Sequence, residues 1–98
     1  MINGISEIVG GASVTISPNP FSSMANVKID LMNQSHRNLI FVLYDIYGKE
    51  IKSIDLSDAS SKTSIDFILN RESVPGGMYF YKLSDSEHVI AAGKLVVQ

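Results

Sequence analysis

The chain has 98 residues, of which 45% are hydrophobic and 18% are charged. This composition is sufficient for one domain with a modest core, and it lies outside the range of disordered proteins. The 8 basic and 10 acidic side chains give a net charge of −2, which argues against a nucleic-acid-binding protein and against a polybasic membrane binder. The absence of cysteine excludes disulfides, thiolate metal sites and cysteine nucleophiles.

The beginning of the chain has no clear period. Gly4, Gly10 and Gly11 make it flexible, so residues 1–12 are predicted to be a linker, with a short edge strand over residues 5–9 as the alternative. The start lacks the basic residues and the long apolar run of a secretory signal peptide. No apolar run reaches the roughly 20 residues of a membrane span. We therefore expect no membrane insertion, and either a cytosolic protein or an export signal upstream.

Three stretches in the first half of the chain predict β-strands. In residues 13–17 and 25–31, apolar and polar side chains alternate, as in strands with one buried face. Pro18 and Pro20 end the first of these strands. Residues 39–47 are mostly apolar in both phases and rich in β-branched and aromatic side chains, which favours a central strand over a helix.

The residues that follow predict a turn and a less regular strand. Asp45 and Gly48 suit the first and last positions of a type I turn. We interpret Asp45 as a carboxylate that accepts hydrogen bonds from the turn amides, with a catalytic acid as the weaker alternative. The apolar residues of 50–56 depart from strict alternation, which indicates a β-bulge or a twist.

Three further stretches complete the pattern, over residues 65–69, 78–84 and 88–97. Pro75-Gly76 fits the centre of a type II turn, and Gly93 indicates a bulge or a close backbone contact in the last strand. No segment has a convincing helical period. About seven short strands separated by turns predict an all-β sandwich of antiparallel strands.

Catalytic and metal-binding patterns are missing from the sequence. His36 and His88 are the only histidines, and no carboxylate cluster brackets either one, so we interpret both as solvated loop residues. Neither a Gly-x-Ser-x-Gly nucleophile motif nor a phosphate-binding loop is present. The sequence therefore predicts no enzymatic activity, no cofactor and no metal site.

Three tyrosines offer an alternative function. Tyr44, Tyr79 and Tyr81 could form an exposed surface that binds sugars or peptides. The domain would then be an adhesion or carbohydrate- or protein-binding module. The competing interpretation, which we favour, places these rings in the core and in cross-strand pairs.

Four motifs follow one another in a distinctive order over residues 13–98. They are Ile16-Ser17-Pro18-Asn19-Pro20-Phe21, Leu43-Tyr44-Asp45-Ile46-Tyr47-Gly48-Lys49-Glu50-Ile51, Pro75-Gly76-Gly77-Met78-Tyr79 and Gly93-Lys94-Leu95-Val96-Val97. Each motif alone is weak, whereas the ordered set is more specific. In this set the chain resembles the C-terminal sorting domains of the type IX secretion system of Gram-negative bacteria, in their type A form. The positions that carry the resemblance are Pro18, Asn19, Pro20, Asp45, Gly48, Lys49, Pro75, Gly77 and Tyr79.

The resemblance implies a seven-stranded, immunoglobulin-like β-sandwich fused behind a cargo protein. Residues 1–12 would be the linker from the cargo, and residues 13–98 the sorting domain. In this family an outer-membrane translocon recognises the domain in the periplasm, and a sortase usually removes it afterwards. The implied location is therefore the periplasm in transit and then the cell surface or the medium. The implied partners are the cargo, the translocon and the sortase.

The resemblance also places the expected sites. Recognition by the translocon is expected at Gly93, Lys94, Leu95, Val96, Val97 and Gln98, in a strand that we predict to be an edge with unpaired backbone groups. Gln98 departs from the basic residue with which the family often ends. Sortase processing is expected near Gly10, Gly11 and Ala12, predicted to be the most accessible stretch. Because edge strands can exchange between copies, we expect a monomer or a weak strand-swapped dimer.

Overall fold

The computed structural model describes residues 5–8, 12–31, 38–57, 63–86 and 88–98, and for residues 5–8 it describes the backbone. These ranges contain eight β-strands. The strands are β1 (Ile5–Ile8), β2 (Ser13–Ser17), β3 (Met24–Asp30), β4 (Ile40–Tyr44), β5 (Glu50–Asp55), β6 (Ser64–Asn70), β7 (Gly77–Ser84) and β8 (Val89–Val97).

The strands form two four-stranded antiparallel sheets. The first sheet has the order β1-β2-β3-β6, and the second has the order β5-β4-β7-β8. From β2 onward, this order is the A-B-E and C′-C-F-G arrangement of an immunoglobulin-like sandwich. The predicted all-β fold class is therefore confirmed. No helix in the described part of the chain is long and apolar enough to span a membrane.

Alternating side chains build the core between the two sheets. In β3, Ala25, Val27 and Ile29 are buried, while the residues that alternate with them are exposed. In the second sheet, Phe41 stacks on Tyr81 with ring centroids 5.5 Å apart. Phe67 of the first sheet meets Phe41 edge-on at 5.4 Å. The contact between Phe67 and Phe41 joins the two sheets across the core.

Two register shifts interrupt the second sheet. The first leaves Ile51 of β5 without a counterpart on β4, where the irregular pattern predicted a bulge. The second leaves Ile90 of β8 without a counterpart on β7. The bulge predicted at Gly93 is wrong, because Gly93 pairs in register with Tyr81. The alternative was a close backbone contact, but what approaches Gly93 closely is the side-chain ring of Tyr81.

The turn before β7 lies earlier in the chain than predicted. The Val74 amide donates a hydrogen bond to the Arg71 carbonyl at 3.1 Å. A type II turn centred on Pro75 and Gly76 requires a positive φ at Gly76, but the positive φ, 150°, belongs to Gly77. The predicted turn type is therefore wrong, and the proline instead leads the chain into β7.

The first strand lies within the segment predicted to be a linker. Residues 5–8 pair with β2 along the edge of the first sheet, which corresponds to the alternative of a short edge strand. Ala12 is fully buried, so the predicted accessibility is wrong for this residue. Gly10 and Gly11 lie outside the described residues. The boundary between cargo and sorting domain stays a prediction.

One of the two histidines lies among the residues that the structure describes. His36 lies outside the described residues. His88 is exposed, and its backbone amide donates to Asp85 Oδ1 at 2.8 Å. Its Nδ1 lies 3.9 Å from the same oxygen. Within the described ranges, no three His, Asp or Glu side chains are grouped so that they can hold a metal ion.

Candidate recognition site around the last strand

The last strand divides the predicted recognition residues between two environments. Leu95 and Val97 lie in the core, with 0% and 3% exposure. Lys94 is exposed and Val96 is half-buried on the opposite side of the strand. Gln98 is exposed and Gly93 is half-buried. Of the predicted residues, Leu95 and Val97 alone cannot contact a partner while the domain stays folded.

The free edge of β8 is covered by residues 18–21, which we call the covering segment. Both X-Pro bonds in this region are cis. Asn19 is only 5% exposed. Its Nδ2 donates to the Lys94 carbonyl at 3.3 Å, and its Oδ1 accepts from the Val96 amide at 3.0 Å. A side-chain carboxamide thus takes the position of a neighbouring strand's backbone.

Phe21 extends this pairing to the end of β8. Its amide donates to the Val96 carbonyl at 3.1 Å, and its carbonyl accepts from the Gln98 amide at 2.8 Å. The result is a parallel bridge between Phe21 and Val97. The prediction of unpaired backbone groups is therefore wrong where the covering segment lies. A partner strand cannot pair with this part of the edge unless the segment moves away.

Arg71 joins three parts of the chain at this end of the sandwich. Its Nη1 donates to the carbonyl oxygens of Ser22 at 3.1 Å and Gln98 at 2.5 Å. Its Nε donates to the Val74 carbonyl at 2.9 Å. Sequence reasoning missed Arg71, because an arginine in a polar loop carries no distinguishing pattern.

Gly93 allows the Tyr81 ring to lie against β8. A Cβ at position 93 would be 2.5 Å from Tyr81 Oη and 2.7 Å from its Cζ. Tyr81 is 1% exposed and stacked on Phe41, so it has little space into which it can move. The packing of the core therefore explains the glycine in the fourth motif.

The Pro-x-Gly-x-Tyr motif fixes the start of β7 beside the end of β8. The Tyr79 hydroxyl donates to the Pro75 carbonyl at 2.5 Å. A Cβ at Gly76 would lie 3.3 Å from the carbonyl carbon of Gln98, which indicates a close approach of two backbones. Gly77 supplies the positive φ with which β7 begins.

The second motif forms the turn between β4 and β5. The Gly48 amide donates to the Asp45 carbonyl at 3.0 Å, and Gly48 has a φ of 84°. Asp45 Oδ1 accepts from the amides of Tyr47 and Lys49, both at 2.9 Å. The interpretation of Asp45 as an acceptor for turn amides is confirmed.

The four motifs lie at the same end of the sandwich. The end of β4, where the Asp45 turn begins, pairs with the first half of β7, and the start of β7 pairs with the end of β8. The covering segment follows the end of β2 and reaches the same place. The sequence predicted these motifs one by one but not their convergence.

The tyrosines do not form the platform that the binding-module alternative requires. Tyr79 and Tyr81 are 5% and 1% exposed, so their assignment to the core is confirmed. Tyr44 is half-buried on the outer side of the second sheet. Its ring centroid lies 5.4 Å from Nζ of Lys82.

A family model agrees with the resemblance drawn from the motifs. The model for the secretion system C-terminal sorting domain matches residues 15–98. The chain belongs to this family. Membership implies a sorting signal of type IX secretion, a fused cargo protein and a secreted or cell-surface destination. The match includes all four motifs and every position singled out for the resemblance.

Comparisons with individual proteins add little. No curated protein matches the chain. A crystal structure named for a beta-galactosidase from Bacteroides fragilis aligns with 96% of this chain at 14% identity and a TM-score of 0.40. The alignment spans 15% of that protein. This likeness carries no argument about fold or function.

Proposed function

We propose that the type IX outer-membrane translocon recognises this domain, in its folded state, as an export signal, and that the domain itself catalyses no reaction. In this proposal a cargo domain is fused on the N-terminal side. The family match over residues 15–98 is the observation that carries the proposal.

The convergence of the motifs supports recognition of the folded state. Asn19 and Val96 are 77 residues apart in sequence, yet they share a hydrogen bond. Arg71 binds the Gln98 carbonyl across 27 residues. An unfolded chain would not present these groups together. A receptor that contacts this end of the sandwich would therefore bind the folded domain and not the unfolded chain.

In the proposed route, the fusion protein folds in the periplasm and passes the outer membrane to the cell surface or the medium. A sortase then removes the domain. We place the cleavage before Ala12, because Ala12 is buried in the core and a protease needs exposed backbone. Gly10 and Gly11 remain the proposed region.

The experiment is an export assay. Residues 1–98 are fused behind a fluorescent reporter with an N-terminal signal peptide, and the fusion is expressed in a bacterium that has the type IX machinery. We expect reporter on the cell surface or in the medium of this strain. In a strain without the translocon, we expect the reporter to stay in the periplasm.

Two controls make the assay specific. The same reporter without the domain should stay in the periplasm of both strains. The intact mass of the released reporter should show loss of the domain if the sortase acts. Release that does not depend on the translocon would contradict the proposed function. Release of an uncut fusion would contradict only the processing step.

A further inference from the structure

The outer side of β4, β7 and β8 forms one continuous surface, which we call the outer face. Its side chains are neighbours through the registers of the three strands. The members are Ile40, Val42, Tyr44, Met78, Phe80, Lys82, Ser84, Val89, Ala92, Lys94 and Val96. None of the contacts made by the covering segment uses these side chains.

Phe80 lies at the centre of the outer face. Tyr44 is opposite Phe80 on β4, and Lys94 is opposite it on β8. Phe80 is 39% exposed and Met78 is 47% exposed. Two shallow depressions, of ≈ 340 and ≈ 290 Å³, lie on the two sides of Phe80 and Lys82. The face therefore offers exposed apolar surface with space beside it.

The charged side chains of the outer face are both basic, although the whole chain has a net charge of −2. The neighbouring strand β5 places Glu50 opposite Tyr44 and Asp55 opposite Ile40, so the positive charge belongs to the part of the sheet around Phe80 and not to its whole outer side. Lys82 and Lys94 flank Phe80, and the ion pairs of the described residues include neither lysine. No outward position on these three strands is acidic. Asp45, at the edge of one depression, already binds its own turn amides through Oδ1.

The outer side of the first sheet has a different composition. Lys28 lies directly opposite Asp66 there, so its cross-strand neighbour is a carboxylate. Most other outward positions on β2, β3 and β6 are serine, threonine, asparagine or aspartate. Met24 and Ile68 are also exposed there, at 52% and 51%, but Lys28 is the only basic side chain at the outward positions of these three strands. Exposed apolar side chains rimmed by like charges are instead typical of a contact surface.

We propose that the outer face is the docking surface of this domain for a protein partner that presents an apolar or aromatic side chain between carboxylates. The inference rests on the proposed function and names the contact as a face rather than the edge of β8. The partner's apolar side chain would fill a depression beside Phe80, and its carboxylates would pair with Lys82 and Lys94. The face has no carboxamide or carboxylate for binding sugar hydroxyls, which disfavours a carbohydrate ligand.

The first test reverses the two charges. The variant Lys82→Glu/Lys94→Glu is introduced into the exported reporter fusion, and the initial rate of release is measured. We expect release to slow about tenfold, because like charges would then face each other across the contact. The control, Lys28→Glu, reverses a single charge on the first sheet and should release within about twofold of wild type. The single variants Lys82→Glu and Lys94→Glu are its matched counterparts, and each should slow release more than Lys28→Glu does.

Folding of the variants is checked by thermal unfolding of the isolated domain. The midpoint should stay within about 4 °C of wild type, which corresponds to less than about 1 kcal/mol. If the charge reversal unfolds the domain, Lys82→Gln/Lys94→Gln removes the charges without repulsion. We then expect release to slow about threefold.

The second test locates the contact directly. A photo-crosslinking amino acid replaces Phe80 in the fusion, and in a matched control it replaces Ile68. Both side chains are exposed, at 39% and 51%, but Ile68 lies on the first sheet. We expect a covalent adduct with a component of the secretion machinery from position 80 and not from position 68.

The outcomes separate the two proposals. If release of the wild-type fusion does not depend on the translocon, both the proposed function and the docking face are contradicted. Equal release of the wild type and the double variant overturns the docking face alone, as do equal adducts from positions 80 and 68. A vesicle-binding assay tests a membrane ligand. If the wild-type domain binds lipopolysaccharide vesicles, the double variant does not, and both fusions are released equally, the protein docking face is overturned, because the face would then bind an anionic glycolipid.

Discussion

The side chains on the inner side of β7 and β8 pack in the core, whereas several of those on the outer side are exposed to solvent. On the inner side, Tyr79, Tyr81 and Leu95 are between 0% and 5% exposed. On the outer side, Met78 and Phe80 are 47% and 39% exposed. The two sets alternate residue by residue along the same strands, because successive side chains of a strand point to opposite sides of the sheet.

This difference changes how a motif should be tested. Residues 93–98 include side chains that hold the core together and side chains that are free to contact a partner. Deleting the whole segment would remove both kinds, and loss of export would then have two explanations. Single substitutions on one side at a time separate folding from recognition.

The largest effect is expected on the inner side. Tyr81→Ala should lower the free energy of unfolding by about 3–5 kcal/mol, because it empties a fully buried site beside Phe41. Phe80→Ala, one residue away on the outer side, should change it by less than about 1 kcal/mol. Urea denaturation followed by tyrosine fluorescence or circular dichroism measures both. Similar losses for the two variants would contradict the separation of the two sides.

A smaller effect is expected where β8 makes room for the tyrosine. Gly93→Ala places a methyl group in contact with the Tyr81 ring, which should destabilise the domain by about 2–3 kcal/mol. This clash outweighs the gain of about 0.5–1 kcal/mol that alanine usually brings to a strand.

A double-mutant cycle identifies the cause. In a Tyr81→Leu background the added methyl has no ring to meet, so the cost of Gly93→Ala in urea denaturation should fall by about half or more. An unchanged cost would show that the backbone of β8, and not the ring, requires glycine at this position.

The edge of β8 should be less sensitive than its inner side. Asn19→Ala leaves the Val96 amide and the Lys94 carbonyl without their partners, and water can reach them in part. We expect a loss of about 1–2 kcal/mol and faster hydrogen exchange at Val96. Asn26→Ala, at an exposed position of β3, is the control. Unchanged slow exchange at Val96 in the Asn19 variant would mean that the Asn19 carboxamide does not protect this amide.

The smallest effect concerns a carboxyl group on the distant strand of the second sheet. The side chain and the backbone amide of Ser57 donate hydrogen bonds that lower the pKa of Asp55 below its usual value of 3.8. Because the folded pKa is lowered, this contribution to stability is present above about pH 3.8 and is lost as the pH falls through the folded pKa. In an NMR titration, Ser57→Ala should move the pKa of Asp55 upward. A pKa that does not move would exclude the hydroxyl as a cause.

Local patterns predicted much of the fold. β2 and β3 follow from strict alternation, and the turn after β4 follows from Asp45 and Gly48, whose partners lie within four residues. The short strand β1 was only an alternative, because four residues among glycines give little periodicity. The bulge at Ile90 was missed, since nothing in an apolar run shows where one residue is left without a counterpart.

The candidate site was harder to predict, because it consists of distant contacts. The sequence indicated Asn19 as part of a motif but not that its carboxamide binds the backbone of β8. Arg71 and the pairing of Phe80 with Lys94 depend on which strands become neighbours. The prediction of an open edge was wrong for the same reason: the segment that covers it comes from the other end of the chain.

The hydrogen bonds between Asn19 and β8 can form only after almost the whole domain has been synthesised. A ribosome has produced almost the whole domain before the partner of the covering segment exists, since 77 residues separate Asn19 from Val96. A chain that stops before Lys94 lacks every hydrogen bond that Asn19 and Phe21 make with β8, and it lacks Leu95 and Val97 in the core. Under the proposed function, a prematurely terminated product would carry an incomplete sorting domain that the translocon does not recognise. Only completely translated fusion proteins would then leave the cell.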